Sequence, residues 1–237
     1  TDVVPVSGQT WSTDPWTVAE DRGRLYGRGT CDMKGFDAAL LSWAARLDRS
    51  KLTRPIYLAF SYDEEIGLVG VPRLIDQFTE LGFTADLCIV GEPTEMHVGV
   101  AHKAILRAQC VATGTEAHSS LAPRYVNAIY GAAKVVNQLS VMAEDRAHNG
   151  PFAKEYDIPH TSVHVGVISG GQAINIVPQR CEFEFEFRTV PAESPSQLLA
   201  EIQAYAEEVV EPAMQALRPE TGIAFTPIVE SPGLEWT

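Results

Sequence analysis

Residues 181–188 read C-E-F-E-F-E-F-R, in which phenylalanines alternate with glutamates. Successive side chains of a strand point to opposite faces of a sheet. The alternation therefore predicts a strand with one apolar and one hydrated face, which is typical of an antiparallel sheet. Residues 103–112 and 161–168 alternate in the same way. We expect these three segments to lie in one antiparallel sheet.

Helical periodicity appears on both sides of these strands, at 126–142 and 196–216, and residues 222–229 resemble one further strand. The predicted order is strand, helix, strand, strand, helix, strand. This order is that of the ferredoxin-like split unit. We therefore expect a compact α+β domain over residues 99–229, followed by an exit linker at 230–237.

The first hundred residues have a different pattern. Helices are predicted at 35–47 and near 71–81, and continuous apolar runs at 55–61 and 87–90 predict buried strands. Strands that are apolar on both faces and alternate with helices indicate a covered, largely parallel sheet. The predicted fold class is therefore α/β, with a partial mixed or parallel-sheet domain over residues 1–98 before the α+β domain.

Composition excludes several classes of function. The net charge is −13, from 18 basic and 31 acidic residues, which disfavours a nucleic-acid partner. No apolar stretch approaches the roughly 18 residues of a membrane-spanning helix, so we expect no membrane partner. The four cysteines form no C-x-x-C pair, which favours a reducing, cytoplasmic location. Cys88 and Cys110 lie in apolar runs and are predicted to be buried free thiols.

Three acidic sites stand out: Asp32, the pair Glu64-Glu65, and Glu92. The last two sites follow predicted strands, and ligands of such sheets bind beyond the carboxyl ends of the strands. Clustered carboxylates repel one another unless a cation lies among them. The sequence therefore predicts a site for divalent metal, and two neighbouring ions can together polarise a carbonyl and activate water.

Glu64 and Glu65 are expected to have different roles. Adjacent side chains of an extended segment point to opposite sides, so the two glutamates cannot easily occupy equivalent positions around one ion. One can bind the metal while the other acts as a general base toward water. Spacing alone leaves open which glutamate has which role.

Six motifs, in this order along the chain, resemble the M20 family of metallopeptidases and amidohydrolases. They are T-D-V-V-P at 1–5, L-Y-G-R-G-T-C-D-M-K-G at 25–35, D-E-E-I-G at 63–67, V-G-E-P-T at 90–94, G-T-E-A-H-S-S at 114–120 and G-G-Q-A-I-N-I-V-P at 170–178. The resemblance implies a two-metal hydrolase. Its catalytic α/β domain would carry an inserted lid over 99–229 that forms a homodimer, and 230–237 would begin the return to the catalytic domain.

The resemblance also implies a role for each acid. Asp32 would bridge two zinc ions, for which cobalt or manganese can substitute. Glu65 would bind one ion and Glu92 the other, while Glu64 would be the general base. Asp2 would orient a metal-binding histidine, which is the kind of support that such ligands need.

Further site residues are implied in the lid. His118 would stabilise the tetrahedral oxyanion, and Asn175 and Arg188 would contact the substrate. Two metal-binding histidines of the family fall outside the sequence, one just before Thr1 and one beyond Thr237. We therefore expect this chain to be a fragment of a longer enzyme, inactive alone.

The implied substrate is an N-acyl amino acid. Segments 117–129 and 173–188 most resemble family members that act on N-acetylornithine, and that reaction would belong to arginine biosynthesis. Alternatives within the family are N-succinyl-diaminopimelate and the substrates of carboxypeptidases or aminoacylases. An alternative of another class is a non-catalytic dimerisation or binding module.

Overall fold

The computed structural model describes residues 2–235. The chain divides into two compact units, Thr1–Val98 and Gly99–Thr237. Over residues 2–235, no helix is long and apolar enough to cross a membrane.

The first unit contains a short hairpin and two helices. Its elements are β1 (Ala19–Asp21), β2 (Arg24–Tyr26), a π-helical turn (Thr30–Lys34), α1 (Gly35–Arg46), a 3-10 turn (Arg49–Lys51) and α2 (Gly70–Glu80). Strands β1 and β2 pair antiparallel around Arg22 and Gly23, which both have positive φ. Both helices predicted for this part of the chain are confirmed.

The strands predicted at 55–61 and 87–90 are wrong, because neither segment belongs to any ladder among the described residues. Their apolar side chains are exposed: Tyr57 is 59% exposed and Leu87 is 77% exposed. A parallel strand forms only beside hydrogen-bonded neighbours, and a pair of short strands is too small to be stable alone. The covered parallel sheet predicted for residues 1–98 is therefore not formed.

The first unit consequently has no buried apolar side chain among residues 2–98. Gly29 and Gly70 are the buried residues there. Helix α1 has the predicted apolar positions, but Phe36 and Trp43 on that stripe remain exposed. Periodicity thus predicted the helix correctly, although no sheet covers its apolar face.

The second unit contains the β-α-β-β-α-β arrangement. In chain order its elements are β3 (Ala104–Thr113), β4 (Ala117–His118), a 3-10 turn (Ser119–Arg124), α3 (Ala128–Asn149), β5 (Ser162–Gly170), β6 (Ile176–Val177), β7 (Arg180–Thr189), α4 (Pro195–Tyr205), a π-helical turn (Ala206–Val210), α5 (Glu211–Leu217) and β8 (Gly222–Ser231). The four long strands form one antiparallel sheet in the order β5-β7-β3-β8. This is the strand order of the split unit.

The core of the second unit lies between the sheet and the helices. Phe183, Phe185 and Phe187 of β7 are at most 2% exposed, while the glutamates between them stay partly exposed. The phenylalanines pack with buried residues of β3, α3 and α4. Helix α3 begins after Asn127, whose side chain accepts hydrogen bonds from the N–H groups of Ile129 and Tyr130. The alternation at 181–188 thus sets the boundary between core and surface.

The cysteines are all free thiols. Cys110 and Cys181 are buried on neighbouring strands, whereas Cys31 and Cys88 are exposed. The predicted burial is confirmed for Cys110 and is wrong for Cys88. The reason is again the missing sheet, because burial of residues 87–90 depends on strands and helices that cover them.

Candidate functional site

The carboxylate of Asp2 holds the backbone of the two adjacent glutamates of the first unit. Its Oδ1 accepts a hydrogen bond from the backbone N–H of Glu64 at 2.9 Å, and its Oδ2 accepts one from that of Glu65 at 3.1 Å. Desolvation raises the pKa of Asp2, but these hydrogen bonds to its anionic form outweigh desolvation, and the pKa lies below its usual value. One carboxylate therefore fixes the backbone of both glutamates.

A tight turn follows the pair. The carbonyl of Glu64 accepts hydrogen bonds from the N–H groups of Gly67 and Leu68, at 3.1 and 2.9 Å. Gly70 then packs directly on the backbone of Tyr62, since a Cβ at Gly70 would lie 2.2 Å from the Tyr62 carbonyl oxygen. Only glycine permits this approach, which closes the turn and starts α2.

Two other segments carry Asp32 and Glu92. Asp32 lies in the π-helical turn before α1 and has extended rather than helical backbone dihedrals. Glu92 follows Gly91, where a Cβ would lie 2.1 Å from the ring of Phe36 on α1. Close packing of Gly91 against α1 thus brings the Glu92 segment beside the helix that follows Asp32.

The acids share one electrostatic neighbourhood. Desolvation raises the pKa of Glu64, and the charges of Glu65, Glu92, Asp2 and Asp32 raise it further. Desolvation also raises the pKa of Glu92, with further increases from Asp32 and Glu65. Glu64 therefore lies within electrostatic range of the other four acids of the first unit that the sequence singled out.

The donor chemistry of these residues fits a divalent cation, because carboxylate oxygens are ligands that such ions accept. Their convergence is incomplete, however. Within residues 2–235, no three His, Cys, Asp or Glu side chains are placed to hold a metal ion by themselves. These residues supply suitable oxygen donors. A closed coordination shell would need further ligands or a closer approach of these carboxylates.

His118 ends β4 and caps the 3-10 turn that follows it. Its Nδ1 accepts a hydrogen bond from the backbone N–H of Ser120 at 3.2 Å, and the Ser120 hydroxyl lies 2.8 Å from the same nitrogen. A backbone N–H can only donate, so Nδ1 is the acceptor and the neutral ring carries its proton on Nε2. This arrangement makes Nε2 a hydrogen-bond donor. The sequence analysis missed this cap, because histidine is not among the residues that usually cap a helix.

Asn175 lies beside His118. Strand β4 pairs with β6, which places His118 opposite Ile176, and the carbonyl of Asn175 accepts a hydrogen bond from the N–H of Ser119 at 2.9 Å. The structure thus brings together two of the three residues of the second unit that the sequence singled out.

Arg188 lies elsewhere. It lies near the C-terminal end of β7, roughly 26 Å along the strand from Arg180. The N-terminal end, at Arg180, is the end that follows β6. Its Nε donates to Glu186 at 2.8 Å on the face of the sheet opposite the phenylalanines. The structure does not group Arg188 with His118 and Asn175.

Residues 1–226 match the family model described as peptidase family M20/M25/M40. The chain belongs to the M20 peptidase family.

Curated relatives are about one-third identical to this chain over the aligned residues. It is 35% identical over 218 residues to an acetylornithine deacetylase of Yersinia pseudotuberculosis serotype O:1b (strain IP 31758), covering 91% of this chain and 53% of the relative. It is also 35% identical over 222 residues to an acetylornithine deacetylase of Myxococcus xanthus, covering 91% and 55%. The chain therefore spans about half the length of the curated relatives it matches.

A solved structure has the same fold. It is an M20 family metallo-carboxypeptidase from Sulfolobus solfataricus, with a TM-score of 0.66 and 20% sequence identity. The match covers 96% of this chain and 62% of that chain. At this identity the match describes the fold, mixed α/β with a sheet and helices, and not the substrate.

Proposed function

We propose that this chain supplies much of the active site of a metal-dependent hydrolase that cleaves the amide bond of an N-acyl amino acid. The observation that carries this proposal is the Asp2 carboxylate, which holds the backbone N–H groups of both Glu64 and Glu65. Such a contact would position the two adjacent acids for different tasks. Relatives named acetylornithine deacetylase favour N-acetylornithine as the substrate, giving ornithine and acetate.

Asp32, Glu65 and Glu92 would hold the metal, with Asp32 shared between two ions. Zinc, or cobalt or manganese in its place, would act as a Lewis acid toward the amide carbonyl and the attacking water. The fit rests on the oxygen donors that these carboxylates supply, and Asp2 would orient a further ligand while it holds the 64–65 backbone.

Glu64 would act as the general base. Its carboxylate removes a proton from water as the water oxygen attacks the amide carbon, and it then delivers the proton to the departing nitrogen as the C–N bond breaks. Neighbouring acids support this role because they disfavour the ionised form of Glu64, which makes its carboxylate a better proton acceptor.

His118 would stabilise the oxyanion through Nε2, the nitrogen that carries the proton when Nδ1 accepts from Ser120. Asn175, adjacent in the structure, would contact the substrate. Arg188 does not lie with His118 and Asn175 in this chain, so it would bind a substrate carboxylate through its bidentate fork at the site of the other subunit of the homodimer, exchanging its present partner Glu186.

The wider setting of this activity follows from the same resemblance. The enzyme would act in arginine biosynthesis in the cytoplasm, and the free thiols of all four cysteines agree with a reducing compartment. Residues 99–229 would form the lid and the homodimer contact, with residues 1–98 as part of the catalytic domain. Full activity would require the longer enzyme, and the chain by itself would be inactive.

The experiment measures acetate released from N-acetylornithine and succinate released from N-succinyl-diaminopimelate. It uses the longest native reading frame that contains this sequence, before and after removal of metal with a chelator. We expect metal-dependent release of acetate, and a Glu64→Gln variant provides the inactive control. Succinate as the faster product would contradict the assigned substrate. Absence of any metal-dependent hydrolysis would instead support a binding module.

A further inference from the structure

The second unit contains a cavity beside the strand that carries His118. Its volume is about 350 Å³, which lies within the range of small-molecule sites. Residues of four segments line it, among them Glu116 just before β4, Gly171 after β5, Ile176 of β6 and Glu182 of β7. Ile176 is the residue paired with His118, so the cavity adjoins the β4–β6 pair.

Three charged side chains line the cavity, and one of them is a carboxylate outside the ion pair that the other two form. Arg180 and Glu182 both line it, and they form an ion pair with 2.7 Å between Nη2 and Oε2. Glu116 also lines it and has no ion-pair partner among residues 2–235. The cavity therefore has a net negative charge, which suits a cationic group.

Glu116 directly precedes β4 (Ala117–His118) and is two positions from His118 along the chain. Two residues of a strand span about 7 Å. The six bonds from the amide carbon of N-acetylornithine to its side-chain nitrogen also span about 7 Å when extended. A substrate whose amide lies at Nε2 of His118 can thus place its ammonium near Glu116.

Two of the residues that line the cavity are the glycines Gly170 and Gly171. A Cβ at Gly170 would lie 2.7 Å from Sγ of the buried Cys181, and Gly171 has a φ of +80°. Both positions therefore favour glycine, and Ile176 and Pro178 supply an apolar wall. An aliphatic chain that ends in an ammonium group fits this combination of apolar wall and single carboxylate.

On the basis of the proposed function, we propose that this cavity is the side-chain subsite and that Glu116 binds the ammonium group of a basic N-acyl amino acid. Glu116 selects the substrate and takes no part in proton transfer. Its carboxylate lowers the KM of substrates with a cationic side chain and leaves uncharged ones unaffected.

The kinetic test compares N-acetylornithine with N-acetylnorvaline, which has the same carbon chain without the ammonium group. The longest native reading frame carries either Glu116→Gln or the control Glu208→Gln, which removes an equal charge from an exposed position on the helices. Glu116→Gln is expected to reduce kcat/KM for N-acetylornithine about fivefold, through KM, as for a solvent-exposed ion pair. It should leave N-acetylnorvaline unchanged, and the control should change neither.

A binding test needs no turnover. Ornithine and norvaline are titrated into the 237-residue chain while the backbone amide signals of Gly171 and Gln172 are followed by NMR. Amide shifts that ornithine causes and norvaline does not, and that are lost in Glu116→Gln, support the subsite. They do so even if neither N-acyl compound is hydrolysed, because absence of hydrolysis would overturn only the proposed function. Equal effects of Glu116→Gln on both N-acyl substrates, or equal amide shifts with both amino acids, overturn the subsite.

Discussion

Asp2 and Glu64 are 62 positions apart in the sequence, yet the Asp2 carboxylate accepts a hydrogen bond from the Glu64 backbone N–H at 2.9 Å. The second carboxylate oxygen bonds the next N–H along the chain. The Asp2 carboxylate thus fixes the backbone from which both glutamate side chains extend. The proposed chemistry is divided between these two side chains. Four consequences of the structure can be measured.

Removing the charge of Asp2 should loosen the 64–65 segment. In Asp2→Asn, the amides of Glu64 and Glu65 should exchange hydrogen about fivefold faster, because a partly exposed charged hydrogen bond contributes about 1 kcal/mol. Amide exchange measured by NMR reports on this directly. Asp14→Asn is the matched control, since Asp14 makes a similar hydrogen bond to the N–H of Trp16. Equal exchange of the 64–65 amides in both variants would show that Asp2 does not hold this segment.

Substitution of the two glutamates should separate their roles. In the longest native reading frame, Glu64→Gln should keep its metal content while turnover falls about 10²- to 10⁴-fold, as expected on loss of a general base. Glu65→Gln should lose metal. Metal content by mass spectrometry and turnover are measured on the same samples, with Asp63→Asn as a neighbouring control. Loss of metal from Glu64→Gln alone would reverse the assignment.

The turn before α2 should not tolerate a side chain at position 70. In Gly70→Ala, the new Cβ would lie 2.2 Å from the carbonyl oxygen of Tyr62, and a backbone atom can yield only if the turn shifts. We expect a loss of about 1–3 kcal/mol in the local opening free energy of α2, measured by amide exchange. Gly99→Ala is the control, because nothing lies within 4 Å of its Cβ position. Similar behaviour of the two variants would contradict the close packing of Gly70 on Tyr62.

The four thiols should divide into two classes. Burial raises the pKa of Cys110 to about 12, and burial also raises that of Cys181. Since the thiolate is the reactive form, both should resist a thiol reagent at pH 8, whereas the exposed Cys31 and Cys88 react. Labelling followed by peptide mass mapping should find all four labelled in urea. Rapid native labelling of Cys110 would contradict its burial.

The second unit was largely predictable because its information is local. Alternation at 181–188 determines which side chains face the helices, and helical periodicity at 126–142 and 196–216 locates the elements that cover them. The first unit was predictable only in its helices. Segments 55–61 and 87–90 have strand-like composition, but pairing depends on neighbours that a local pattern does not supply.

The electrostatic influence of Asp32, Glu65 and Glu92 on Glu64 was predictable from residue type and position, whereas their arrangement around a metal stays a prediction. The hydrogen bonds from the N–H groups of Glu64 and Glu65 to Asp2 were not predictable, because backbone N–H groups have no signature in the sequence. The cavity beside β4 likewise depends on which segments meet there. Glu116 was therefore not singled out by the sequence.

The core of the second unit has a consequence for how the chain denatures. Its buried residues all lie between Leu106 and Met214, and the first unit contributes none of them. Cooperative melting depends on a shared interior, so heating should give one sharp calorimetric transition for residues 99–235 and a separate, weaker signal for the rest. The split unit would then survive limited proteolysis as an intact module of its own.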